Sequence, residues 1–147
     1  MTNTRGTLFS DGGQGEPSKG PRPLRIIVAD DDRDAVLTLM MVLRHEGHDV
    51  KGFYNGEEAL KAVSEFQPDA LIIDISMPRL SGYELSRRLT ERRGSKPLMI
   101  GISGIYKKAP DALIARAVGI DHYLTKPYEP SDVLRLLAPL QLPKDAQ

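Results

Sequence analysis

Acids, a hydroxyl and an ammonium group recur at one kind of place in this chain, the end of a short apolar run. Asp30, Asp31 and Asp32 follow LRIIVA, Asp74 closes ALIID, Ser103 closes LMIGIS, and Lys126 follows HYLT. If a fold gathers them on one edge, the carboxylates repel. Two that are about 4 Å apart do so by about 4 kcal/mol at an effective dielectric near 20. The remedy is a counter-charge, either Lys126 or a divalent cation. An all-oxygen ligand set without His or Cys suits Mg²⁺, which keeps several waters and takes few protein ligands. The chain has no cysteine, which excludes a disulfide framework, a thiolate metal site and a cysteine nucleophile. His45 and His48 are spaced i, i+3 near a predicted helix end with no third ligand in view, and read as surface residues.

The runs that carry these residues alternate with helical patterns. Leu24–Ala29 is a buried strand ending at the acids, and Val36, Leu39, Met40 and Leu43 then follow helical spacing. Asp32 or Asp34 caps that helix, and Gly47 supplies the left-handed residue at its end. A second strand over Val50–Tyr54 leads through Asn55-Gly56 to a helix with Ala59, Val63 and Phe66 on one face, closed by Pro68. Ala70–Asp74 is a third strand. A loop containing Met77-Pro78 and Ser81-Gly82 precedes a helix around Tyr83–Arg92. Leu98–Ser103 is a fourth strand, Asp111–Val118 a small-residue helix, Asp121–Thr125 a fifth strand, and Val133, Leu136, Leu137 and Leu140 mark a closing helix. Five strand-helix units in strict alternation predict an α/β fold, a parallel sheet with helices on both faces. Strands apolar on both sides agree with that. In doubly wound folds ligands sit beyond the carboxyl ends of the strands, which is where the acids, Ser103 and Lys126 fall.

The 147 residues suffice for one such domain. The first 23 are rich in Gly, Pro, Ser and Thr, with Leu8 and Phe9 as their large apolar groups, and predict a flexible tail. The folded domain is expected over residues 24–141, with a short C-terminal tail over 142–147. Lys and Arg number 20, as do Asp and Glu, which argues against a uniformly basic nucleic-acid binder and a polybasic membrane-surface protein. No apolar run approaches the roughly 18 residues needed to span a bilayer. The N-terminus lacks the apolar centre of a signal peptide, so a cytoplasmic protein is expected.

The segments IIVADDDRDA, LIIDISMPRLSGYE, MIGISG and YLTKP, in this order, resemble the receiver domain of bacterial two-component response regulators, of the stand-alone chemotaxis-regulator kind. The resemblance runs from Leu24 to about Leu140. It implies a five-stranded parallel sheet of order 2-1-3-4-5 with five helices, a flavodoxin-like topology. It also implies that Asp74 is the phosphoacceptor, attacking phosphorus in a phosphohistidine donor, and that Mg²⁺ is held by Asp30, Asp31, Asp74 and the backbone carbonyl of Ser76. In the family the second acid of the pair, here Asp31, ligates the metal directly and the first acts through water. Ser103 matches the switch hydroxyl, Lys126 the lysine that pairs with the phosphoryl group, and Tyr123 the aromatic switch. The Lys126–Pro127 bond is expected to be cis. Ser76 and Ile105 occupy the positions that tune dephosphorylation. Neither offers a carboxylate or amide to orient water, so a long-lived phosphorylated state is expected.

Taken alone, each residue has a quieter reading. Asp30 to Asp32 would cap a helix, Asp74 would bond loop amides, Lys126 and Lys107-Lys108 would be solvated charges, and Tyr123 a half-buried strand residue. The combination favours a phosphorylation-controlled binding module over an enzyme acting on other substrates. Its expected partners are a sensor histidine kinase or a histidine phosphotransfer protein, and a downstream protein met on the face of helix four, strand five and helix five. The few residues after Leu140 leave no room for a DNA-binding domain, so neither direct DNA binding nor membrane binding is expected. A phosphorelay intermediate is the alternative. A haloacid-dehalogenase-like phosphatase would want a second acid at Ser76, and a flavodoxin-like flavin binder a glycine- and hydroxyl-rich loop where the aspartates stand. Tyr128, Leu134 and Leu137 would either build a homodimer face or close the core.

Overall fold

A strand covered by helices on both sides must be apolar on both sides, and the runs at 25–29, 70–74 and 98–103 meet that requirement. In a computed structural model, which describes residues 21–92, 96–104 and 117–143, the runs become β1 (Arg25–Ala29), β2 (Asp49–Phe53), β3 (Ala70–Asp74), β4 (Leu98–Ser103) and β5 (His122–Thr125). They pair in parallel in the order β2-β1-β3-β4-β5. The central strand β3 is buried at every position. Around the sheet stand α1 (Arg33–His45), α2 (Gly56–Phe66), α3 (Gly82–Thr90) and α4 (Pro130–Leu137). The doubly wound parallel sheet expected from the alternation is the one observed, with four α-helices among the described residues. The helix expected over Asp111–Val118 falls almost wholly outside them, as do Lys107 and Lys108.

Successive residues of a strand point to opposite faces, and the core divides accordingly. Ile27, Leu71, Ile73 and Met99 pack under Ala59, Val63 and Phe66 of α2 and Leu85 and Leu89 of α3. Ile26, Val28, Ile72 and Ile100 pack under Val36, Leu39 and Leu43 of α1 and Val133 and Leu137 of α4. Helix starts follow their caps. The Asp32 carboxylate accepts from the Asp34 and Ala35 amides, Asn55 from the Glu58 amide, and Ser81 from the Glu84 amide. Gly47 takes the left-handed conformation expected of it, φ 97°. The closing helix was expected to reach Leu140, but α4 ends at Leu137 and tightens into a 3₁₀ turn over Ala138–Gln141. Pro139 has no amide hydrogen to continue the α-helical ladder.

The structure bears on three further readings. His45 is exposed, but His48, in the connection from α1 to β2, is buried, held inward as its Nδ1 accepts from the Leu24 amide at 3.0 Å. Burial pushes the pKa of His48 down from the usual imidazole range. Arg22 lies within the span read as tail, yet it is paired. Its amide donates to the Gln141 carbonyl at 3.1 Å, Gln141 Nε2 returns a bond to its carbonyl at 3.2 Å, and its guanidinium reaches Asp69 at 3.7 Å. Leu137, one alternative for a dimer face, is fully buried, and Leu134 and Tyr128 pack against the same core. Among the described residues no helix is long and apolar enough to cross a membrane.

Candidate functional site

Because the sheet is parallel, every strand delivers its last residue to the same edge. The Asp30 amide still bonds to the Phe53 carbonyl at 3.1 Å, so Asp30 stays on that edge and is only 5% exposed. Asp74 is the last residue of β3 and equally buried. Ser103 ends β4, buried, and its carbonyl accepts from the Lys126 amide at 2.8 Å, which brings the residue after β5 into the group. The peptide between Lys126 and Pro127 is cis, as the resemblance implied. The chain must then turn tightly past Asp74. Gly82, at the start of α3, lies where an added Cβ would be 2.7 Å from the Asp74 carbonyl oxygen, so no side chain fits there.

The side chains meet in a defined pattern. Asp30 Oδ1 accepts from the Asp32 amide at 3.0 Å and Asp74 Oδ1 from the Ser76 amide at 2.8 Å. The Oδ2 atoms of both carboxylates lie 3.3 Å from Lys126 Nζ. Asp31 is exposed, yet Asp30, Asp31 and Asp74 each bring an oxygen within 4.8 Å of the others. One ammonium against three carboxylates leaves the cluster electronegative. Burial pushes the pKa of Asp30 up to about 6. The Asp32 amide works against that rise, Asp74 adds to it, and Lys126 opposes it. Burial disfavours the charge of Lys126, but Asp30 and Asp74 outweigh it and raise its pKa. An all-oxygen set with one solvent-facing member fits Mg²⁺, a hard cation that retains waters.

A raised carboxylate pKa has a definite consequence for stability. The folded state binds the Asp30 proton more tightly than the unfolded chain, whose carboxylate titrates near 3.8. The cost of the buried charge is therefore present above about pH 6 and is relieved as pH falls toward 4. In chelator, Asp30→Asn should raise stability at pH 7 by on the order of 1–3 kcal/mol. That advantage over the parent should disappear near pH 4. Urea midpoints at the two pH values measure it, and an equal effect at both would contradict the burial argument.

Ser76 lies beside Asp74 as expected, whereas Ile105 is outside the described residues. Tyr123 is half-buried on β5. Its ring packs beside Gly101 and Ile75, and no hydrogen bond meets its buried hydroxyl among the described residues. Burial and the nearby Tyr83 phenol raise its pKa. Tyr83 had no signal in the sequence, since nothing about one position after Gly82 announces a neighbour on β5. Tyr128, which packs against the core beneath α1 and α4, also lines a groove of about 550 Å³ beside Lys126, together with Thr38 and Leu39 of α1. Its pKa is raised by burial and by Asp30.

Comparison with known proteins gives a consistent result. The sequence model of the response regulator receiver domain matches residues 26–138. The alkaline phosphatase synthesis transcriptional regulatory protein PhoP of Bacillus subtilis is 31% identical over 109 residues, 74% of this chain and 45% of the relative. The response regulator MprA of Mycobacterium bovis is 34% identical over 130 residues, 84% of this chain and 54% of the relative. The chain thus spans about half the length of these curated relatives. A CheY-like receiver domain protein from Methanospirillum hungatei superposes with a TM-score of 0.72 at 25% identity, covering 82% of this chain and 94% of that one. The receiver domain of Francisella response regulator 1452 gives 0.72 at 25%, covering 87% and 100%. With its sheet order, its edge of acids and lysine, and these matches, the chain belongs to the response regulator receiver domain family.

Proposed function

We propose that Asp74 accepts a phosphoryl group from a phosphohistidine of a sensor histidine kinase in a Mg²⁺-dependent reaction. The phosphorylated domain then signals through altered protein contacts on the face made by β5 and α4. The observation that carries this reading is Lys126 Nζ standing 3.3 Å from both Asp30 and Asp74, with Asp31 completing the carboxylate group. A carboxylate is a weak nucleophile toward a phosphoryl dianion, so positioning and charge neutralisation must do most of the work. An Asp74 oxygen bonds to phosphorus as the phosphorus–nitrogen bond of the donor breaks, and the imidazole leaves with a proton. The Lys126 ammonium, no longer paired with a free Asp74 carboxylate, follows the charge onto the phosphoryl oxygens. Mg²⁺, held by Asp30, Asp31, Asp74 and the Ser76 carbonyl, would supply the remaining neutralisation. Ser103 then turns its hydroxyl toward the new acceptor oxygens, and Tyr123 responds to the space it vacates.

On this reading the domain assists its own phosphorylation and dephosphorylation and has no other substrate. Ser76 and Ile105 make the phosphorylated state long-lived. The groove beside Lys126 is taken as the kinase contact. Beside it α1 exposes Leu37 (51%) and Met41 (72%), apolar side chains that a helical partner would cover. The zero net charge supports output through protein rather than DNA by this domain. The reaction is placed in the cytoplasm.

Intact mass spectrometry tests the chemistry. With Mg²⁺ and a small acyl phosphate the protein should gain one phosphoryl group, and Asp74→Asn or added chelator should abolish the gain. No adduct with several donors, a phosphorylated kinase among them, would demote the chain to a receiver-like binding domain.

A further inference from the structure

The residues leading into β5 are held by polar contacts that the phosphoacceptor site does not use. Ser86, fully buried on α3, donates its hydroxyl to the Val118 carbonyl at 2.5 Å. Lys96 Nζ donates to the Gly119 carbonyl at 2.8 Å. Asp121 is tied to β4 twice: its carboxylate accepts from the Met99 amide at 2.8 Å and its own amide donates to the Met99 carbonyl at 2.9 Å. Gly119 has φ +85°, and a Cβ there would run into the Thr90 hydroxyl, so the lack of a side chain is what lets this segment lie against α3.

One helical turn beyond Ser86, Thr90 offers a second hydroxyl to the same carbonyl. Thr90 Oγ1 stands 3.4 Å from the Val118 oxygen, longer than an ordinary hydroxyl hydrogen bond, and donates at 2.9 Å to the Ser86 carbonyl of its own helix. A helical threonine gives up such a bond readily, because that carbonyl also serves the helix ladder. The Val118 carbonyl therefore has one donor in place and another within reach. A shift of well under one helical turn exchanges them without leaving the carbonyl unpaired, the state that would otherwise oppose movement.

We propose that Ser86 and Thr90 form a two-position latch for the Val118 carbonyl, which Ser86 holds in this structure and which passes to Thr90 when Asp74 is phosphorylated. The exchange carries the start of β5, and with it Tyr123, by a small discrete step of the kind packed elements make between two arrangements. The latch rests on the reading of Asp74 as phosphoacceptor. It adds the side chains that decide where the strand before Lys126 comes to rest.

The test uses the full chain labelled with ¹³C and ¹⁵N, with and without Mg²⁺ and a small acyl phosphate, and intact mass measured on the same samples. The signals read are the Val118 carbonyl carbon and the Gly119 amide, which share one peptide. In the parent both should move on phosphorylation. Thr90→Val, which keeps the shape of the side chain, should still form the adduct but lose the movement, and Thr90→Ser should restore it. Ser86→Ala should place the unphosphorylated signals near the phosphorylated position, since Thr90 is the remaining side-chain donor among the described residues. An adduct on Thr90→Val with movement equal to the parent's would overturn the latch while leaving the phosphoacceptor reading intact. So would an adduct on the parent with both signals unmoved. Absence of any adduct on the parent removes the phosphoacceptor reading, and the latch falls with it.

Discussion

Lys126→Met should slow phosphorylation of Asp74 by a small acyl phosphate about 100-fold or more, while tightening the binding of Mg²⁺. The opposed directions follow from one geometry. Lys126 Nζ is 3.3 Å from an oxygen of Asp30 and of Asp74. In the resting protein it competes with any divalent cation for those carboxylates, so removing it leaves three acids facing the metal with no rival charge. During transfer, the ammonium is aimed where charge gathers on the phosphoryl oxygens, and a preorganised group of that kind is worth about two to three decades in rate. Methionine keeps an unbranched side chain of similar length, so the α1 groove retains its wall. Rates from intact mass and a Mg²⁺ titration on the same preparation decide the matter. A rate within tenfold of the parent, or weaker metal binding, would sink the assignment of Lys126.

A second large effect is expected far from the chemistry. Ile72 lies on β3 between β1 and β4 and is 1% exposed. Its side chain packs in the core beneath α1 and α4. Ile72→Ala should cost about 2–5 kcal/mol, a large share of the about 5–15 kcal/mol that holds an ordinary domain together. Leu37→Ala, at an exposed position on α1, should change stability by less than about 0.5 kcal/mol. Urea unfolding of the two variants gives the comparison directly. A loss below 1 kcal/mol at Ile72 would be inconsistent with a sheet covered on both faces.

Much of the architecture was legible because local signals and the global fold agree. β3 and β4 begin and end where their apolar runs do, since a strand buried on both sides has no polar residue to spare and stops where one appears. Asp32, Asn55 and Ser81 mark helix starts because each side chain can bond an otherwise unpaired amide. Boundaries slipped where a backbone property overrode pattern, as at Pro139, whose missing amide ends α4 before the apolar spacing does. His48 misled for another reason. Spacing along α1 says nothing about a residue beyond the helix end, and it is the approach of Leu24, just before β1, that gives its ring a partner.

The sequence by itself determined that the sheet is parallel, that acids, Ser103 and Lys126 end its strands, and that they share one edge. Alternating apolar and helical periods suffice for that, because parallel strands deliver their ends to the same side. Only the tertiary structure decided how those groups divide the charge. Lys126 stands between Asp30 and Asp74 while Asp31 faces solvent, and burial raises the pKa of Asp30. The same is true of Tyr83 beside Tyr123 and of Ser86 and Thr90 sharing the Val118 carbonyl. These pairings join residues far apart in the chain. Their energies depend on distance and burial, which residue order does not encode until the chain has packed.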